Sequence, residues 1–189
     1  MDGTEQNPKV NSETKAFHFF ELALRLCVIP LTLASLVVMT SNNQTSDLYG
    51  TVKFNNLTGF KYLVSINVIS GVYSLGSIFI SKSRCFKMYD WVLFVLDQIT
   101  TYLMVTSGSA ASEILYLAEK GNQEVSWSEV CSYFGSFCKK TKVSLGLHFV
   151  ALVCFIVLSL ISAFRLFSKF DAPSLPPSDK EENGEKLAK

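Results

Sequence analysis

The sequence predicts an all-α membrane protein, a four-transmembrane-helix bundle with both termini in the cytoplasm. Three observations lead there. Only 17% of the 189 residues are charged, against 49% hydrophobic, where soluble domains carry roughly 25% charge. The apolar residues gather in four long blocks instead of recurring at scattered core positions. Each block reaches the ~20 residues that an α-helix needs to cross about 30 Å of hydrocarbon. The net charge of +1 gives no electrostatic case for nucleic acid. The basic residues lie at block ends and in the tails, where anchoring accounts for them.

Residues 1–17 are polar and read as a disordered cytoplasmic tail. The membrane domain then runs over 18–168. Its first block, FFELALRLCVIPLTLASLVVMT (19–40), exceeds the apolar length of a signal peptide, and no small-x-small cleavage site follows it. Arg25 and Pro30 also suit a retained helix, which Pro30 should kink by freeing the carbonyl of Leu26. The first outer loop, about 41–61, carries two N-x-S/T sequons, so Asn43 and Asn56 are candidate glycosylation sites. The second helix, about 62–81, places Ser70, Ser74 and Ser77 on one face flanked by Gly71 and Gly76. A short basic loop follows with Cys85, read as a free cytosolic thiol with acylation as the alternative. The third helix covers about 89–118, the second outer loop 119–142 and the fourth helix 143–167. The closing residues 169–189 are rich in Pro, Lys and Glu and read as a disordered cytoplasmic tail.

Orientation follows from the basic residues. Lys9, Lys15, Lys82, Arg84, Lys87, Arg165, Lys169 and three tail lysines fall on the side of the termini. Lys53, Lys61, Lys120, Lys139, Lys140 and Lys142 fall on the other. That excess puts the termini inside. The sequons and the pair Cys131 and Cys138, which can close a short disulfide outside the reducing cytosol, agree with it. Cys27 and Cys154 sit within helices.

The third block reads VLFVLDQITTYL at its inner half, and Asp97 in such a run needs a partner. Arg25 lies about 10 Å into helix one and Asp97 about 12–14 Å into helix three, counted from the same side. An interhelical ion pair at a shared depth is the expected answer, with Glu21 one turn before Arg25 as a possible supporting acid. Asn67, Glu113 and His148 form a second polar set, expected near the outer ends of their helices. A proton or ion relay is one reading of it, and interhelical hydrogen bonding with interfacial snorkelling is the other and preferred one. The stretch TSGSAAS (106–112) allows close helix approach. No catalytic, cofactor or metal-ligand motif is found; His18 and His148 are expected near opposite membrane faces, and Cys131 and Cys138 lack metal-type partners.

Arg25 in the first span, Asp97 with the run DQITTYLMVTSGSAASEILYLAEKGN, then Trp127 followed by SEVC and SYFGSFC, resemble the plant Casparian strip membrane protein and CASP-like family of MARVEL-like four-span proteins. The resemblance is strongest over about 89–163. It implies that Arg25 and Asp97 take the family's buried charged positions and that Cys131 and Cys138 are its outer-loop cysteines. It further implies a plasma-membrane protein forming homo-oligomers and hetero-oligomers with related CASP-like proteins, a scaffold that organises a membrane subdomain and recruits secreted wall-modifying enzymes. The first outer loop lacks the acidic-aromatic signature of strip-localised members, so the chain looks like a CASP-like protein of type 1. Claudin-like and tetraspanin-like readings fail on the absence of Trp and Cys from the first loop and of Cys-Cys-Gly from the second. The alternative to a non-enzymatic scaffold is a small channel, transporter or transporter subunit using Arg25 and Asp97.

Overall fold

The computed structural model describes residues 8–46, 50–82, 89–121 and 128–168. Residues 169–189, Cys85 and Trp127 lie outside them. Four long helices dominate: α1 (Pro8–Thr40), α2 (Thr58–Lys82), α3 (Tyr89–Lys120) and α5 (Gly135–Ser168), with a one-turn α4 (Val130–Tyr133) before the last. α1 packs against α2 and α5, and α3 packs against the same two, so the helices form a ring in the order α1, α2, α3, α5. The registers show that neighbours alternate in direction. Going from the Arg25 level to the Ser35 level of α1, the contacting residue numbers fall in α2 and rise in α3. They fall again in α5.

α1, α2 and α5 contain segments long and apolar enough to cross a membrane: Phe19–Thr40, Thr58–Ile80 and Gly135–Phe167. α3 has the length, 32 residues, but Asp90, Asp97, Glu113 and Glu119 dilute its apolar character. The bundle is inverted relative to a soluble protein. Large apolar side chains such as Leu33, Val72, Phe79 and Leu160 face outward, while Arg25, Asp97, Asn67, His148 and eleven serines or threonines of the four helices are buried, Ser35, Ser70 and Ser144 among those buried completely. That pattern suits a surrounding solvent as apolar as Leu.

Two helices are longer than the sequence reading placed them. α1 begins at Pro8, not near residue 19, so it occupies much of the stretch expected as an irregular tail. Pro fits the first helical turn, where no intrahelical N–H is needed, and no Gly or Pro interrupts the chain from there to Phe19. α5 begins at Gly135, eight residues before 143, because Cys138 is tied to Cys131 and Phe137 is pinned to the first loop. Pro30 sits inside α1 without ending it. Gly121, with φ 65°, closes α3 in the left-handed conformation and donates its N–H to Leu117 at 2.9 Å, a common helix stop.

The connection between α1 and α2 carries local structure of its own. β1 (Asn43–Ser46) and β2 (Gly50–Lys53) pair antiparallel with Asn43 opposite Lys53 and Thr45 opposite Thr51. The two threonine hydroxyls lie 3.1 Å apart across the hairpin, and β-branched residues favour such pairing. A 3₁₀ turn, Phe54–Asn56, leads into α2. The hairpin is joined to α5: Gln44 Oε1 accepts from the Phe137 N–H at 2.9 Å. Asn42, 1% exposed, donates to the Phe137 carbonyl at 2.9 Å and to Thr141 at 3.0 Å.

Cys131 and Cys138 form a disulfide seven residues apart, with Cα atoms 5.8 Å from each other. It closes the turn between α4 and α5 over an apolar cluster of Met39, Phe60, Leu63, Leu115, Phe134 and Phe137. Loop closure on this scale contributes about 2–3 kcal/mol. Cys131→Ser should lower the unfolding free energy in detergent by about that amount, measured by chemical denaturation; an unchanged midpoint would show that the cap is held by packing alone.

Candidate functional site

The half of the bundle that holds Arg25 carries a polar network to which every long helix contributes. Arg25 on α1 and Asp97 on α3 meet as a two-pronged pair: Nη1 donates to Oδ1 at 3.2 Å and Nη2 to Oδ2 at 2.9 Å. Both are buried, Arg25 at 2% and Asp97 at 0% exposure. From α2, Tyr73 donates to Asp97 Oδ1 at 2.6 Å. From α5, Ser162 donates to Oδ2 at 2.7 Å. A carboxylate has about four acceptor positions, and these four donors fill them.

The guanidinium is answered as fully. It donates to Ser77 on α2 at 2.9 Å and to Glu21 at 3.3 Å. Its carbon lies 5.7 Å from the centre of the Tyr73 ring, within cation–π range. Glu21 in turn accepts from Arg165 on α5 at 2.8 Å. Two acids and two guanidiniums alternate along this line, Asp97, Arg25, Glu21, Arg165, so the buried charge cancels. Next to it Ser159 donates to Gln98, and Thr101 returns its hydroxyl to the Asp97 carbonyl at 2.7 Å.

A second polar layer lies about 15 Å further along, ten residues up α1. Ser35 and Ser144 interlock: Ser35 donates to the Ser144 carbonyl at 2.9 Å, and Ser144 donates to the Ser35 carbonyl at 2.8 Å. Asn67 donates to Ser35 at 3.1 Å. The His148 ring bridges α2 and α3, with Nδ1 at 3.0 Å from Asn67 and Nε2 at 3.0 Å from the Met104 carbonyl. Gly108 makes room for that ring: a Cβ there would stand 3.3 Å from His148 and from Phe149. Between the two layers lies an apolar floor of Val28, Ile66, Met104, Ala151, Leu152, Phe155 and Leu158.

Of the residues singled out from sequence, Arg25, Asp97 and Glu21 come together. Asn67 and His148 also come together, but in the middle of the bundle and not at helix ends. Glu113 is exposed and takes no part in that cluster. Asn43 and Asn56 are both exposed in the connection between α1 and α2. Among the described residues no three His, Cys, Asp or Glu side chains gather in a metal-type cluster. Tyr73, Ser162 and Arg165 escaped the sequence reading as network members. Their signal was faint: Tyr73 lies one turn from Ser77, and Ser159, Ser162 and Arg165 follow a three-residue spacing on α5.

Removing one partner of a buried ion pair costs about 3–5 kcal/mol because the other is left uncompensated. Asp97→Asn should show a loss in that range in denaturant unfolding, and Ser162→Ala, which deletes one charge-assisted bond, about 1.5–3 kcal/mol. Equal stability of Asp97→Asn and wild type would mean the pair is not buried in the folded protein.

The comparisons with known proteins follow the same residues. The Casparian strip membrane protein domain matches residues 14–154, a span that holds Glu21, Arg25, Tyr73, Ser77 and Asp97 of the first layer and all of the second, and ends before Ser162 and Arg165. The chain is 51% identical over 165 residues to a CASP-like protein 2D1 of Oryza sativa subsp. indica, covering 87% of this chain and 82% of that protein. It is 54% identical over 157 residues to a CASP-like protein 2D1 of Sorghum bicolor, covering 83% and 87%. Similarity extends to a CASP-like protein 2A2 of Zea mays, 44% identical over 170 residues, covering 89% and 80%. These relatives carry 2D and 2A designations, not type 1; the helix and second-loop residues behind the resemblance speak for the family and not for its subgroup. No solved structure matches. The chain belongs to the Casparian strip membrane protein domain family and is a CASP-like membrane protein.

Proposed function

We propose that this chain is a non-enzymatic scaffold of the plasma membrane, crossing it four times with both termini in the cytoplasm. It self-associates into homo-oligomers, or hetero-oligomers with related CASP-like proteins, and so organises a membrane subdomain to which wall-modifying enzymes are recruited. The observation that carries this reading is the saturation of Asp97. All its acceptor positions are occupied by Arg25, Tyr73 and Ser162, so the carboxylate holds helices together and has none left for a passing ion. α3 counts as the fourth span in this reading because its Asp97 is neutralised inside the bundle, which removes the main cost of placing it in hydrocarbon. The outward faces offer contact area for association. Phe19, Phe79, Trp91, Phe164 and Phe167 are exposed at the inner end, the level at which aromatic side chains anchor membrane proteins.

Fluorescence recovery after photobleaching of a C-terminal fusion in plant plasma membrane tests the reading, with photobleaching-step counts on single particles beside it. Confined recovery and several copies per particle are expected; freely diffusing single copies would overturn it. Glycosidase treatment adds the topology: a mobility shift lost in the Asn43→Gln, Asn56→Gln double variant places the first loop outside. The rival, a small channel or transporter, requires ion flux in pure liposomes that Asp97→Asn abolishes.

A further inference from the structure

Residues 67, 70, 74 and 77 of α2 follow a 3-4-3 spacing, which puts Asn67, Ser70, Ser74 and Ser77 on one helical face. That face points into the bundle, and none of the four is more than 2% exposed. Its two ends belong to the networks already described. Ser77 accepts from Arg25, and Asn67 joins Ser35 and His148. The middle is different. The hydroxyls of Ser70 and Ser74 are fully buried and have no hydrogen-bond partner among the described residues.

This is unusual within the same molecule. Other helical hydroxyls here turn back to a carbonyl three or four residues earlier: Ser65 to Lys61, Ser107 to Met104, Ser109 to Val105 and Ser112 to Gly108. Ser70 and Ser74 forgo that bond, although the carbonyls of Ile66 and Ser70 stand at the same spacing. A buried hydroxyl without a partner is strongly unfavourable. Side chains one turn apart are separated by about 5–6 Å, twice the ~2.8 Å of a hydroxyl hydrogen bond, so one small molecule with two donors and two acceptors spans them. Buried waters typically sit where two to four polar groups converge in this way.

We propose that Ser70 and Ser74 form a buried water-binding site. Water held there joins the Arg25–Asp97 network to the Asn67–His148 network in one hydrogen-bonded column along α2. The two ionisable layers, about 15 Å apart, are then linked along α2 by polar groups that run beside the apolar floor.

The test is water-edited solid-state NMR on the full chain, serine-labelled, in lipid bilayers. The Ser70 and Ser74 signals, assigned by their loss in single alanine variants, should gain polarisation from water several-fold faster than those of Ser35 and Ser144. That pair is equally buried but bonded to each other, which makes it the internal reference. Equal build-up at all four would overturn the proposal. The Ser70→Ala, Ser74→Ala double variant gives a second reading. With water bound it should melt at a lower temperature than wild type; an unchanged or higher Tm would mean that the hydroxyls held nothing.

Discussion

A guanidinium and a carboxylate inside a membrane bundle are tolerable only when the protein itself answers every donor and acceptor. Here that requirement is met by all four long helices at once: α1 gives Arg25 and Glu21, α2 gives Tyr73 and Ser77, α3 gives Asp97, and α5 gives Ser162 and Arg165. Rotating any one helix by a third of a turn would remove a partner from a buried charge. Hydrophobic matching between helices in lipid discriminates little, because a tail is as good a neighbour as a leucine. The network therefore supplies what the apolar faces cannot, a unique rotation and depth for each helix.

The rest of the structure is arranged around that constraint. Above the charged layer comes an apolar floor centred on Phe155 and Met104, then the Asn67–His148 layer, then the cluster capped by the disulfide. Each polar layer links elements distant in sequence: Arg25 to Asp97, Ser35 to Ser144, Asn42 to Thr141. Small side chains bring the backbones close enough for these bonds, most visibly at Gly108 beside His148. Outside the bundle, the hairpin of the first loop and the start of α5 share the Gln44–Phe137 and Asn42–Phe137 bonds. The cap is thus tied to the helices rather than hanging from them. A bundle whose buried charges are answered from within and whose sides are apolar is a suitable unit for lateral assembly.

How much of this was legible in the sequence depended on the physics of each feature. The four long helices were readable from block length and apolar content, α3 least clearly because its acids dilute the signal. Arg25 and Asp97 were readable as partners because two isolated opposite charges at one depth have few other options. Tyr73 and Ser162 were not, since a tyrosine or serine in a span is common and only rotation about the helix axis decides whether it faces a charge. His148 and Asn67 were singled out but set too close to the outer surface. The helix start of α5 at Gly135 had been placed at 143, and the error carried straight into that depth. The hairpin at 43–53 was missed because its strands are four residues each, polar, and without the alternation that marks a half-buried strand. Helix starts were the weakest point, at Pro8 as at Gly135, because polar residues that continue a helix into water carry no hydropathy signal.

Arg25 and Asp97 stabilise the fold as a pair. A double-mutant cycle on unfolding in bicelles, with Arg25→Met, Asp97→Leu and the two combined, addresses it most directly. Each single change strands a buried charge, whereas the double change removes both and leaves apolar side chains of similar size. The double variant should be more stable than either single one, with a coupling of at least about 1.5 kcal/mol. Losses that simply add would contradict it, and the two residues would then act independently of each other.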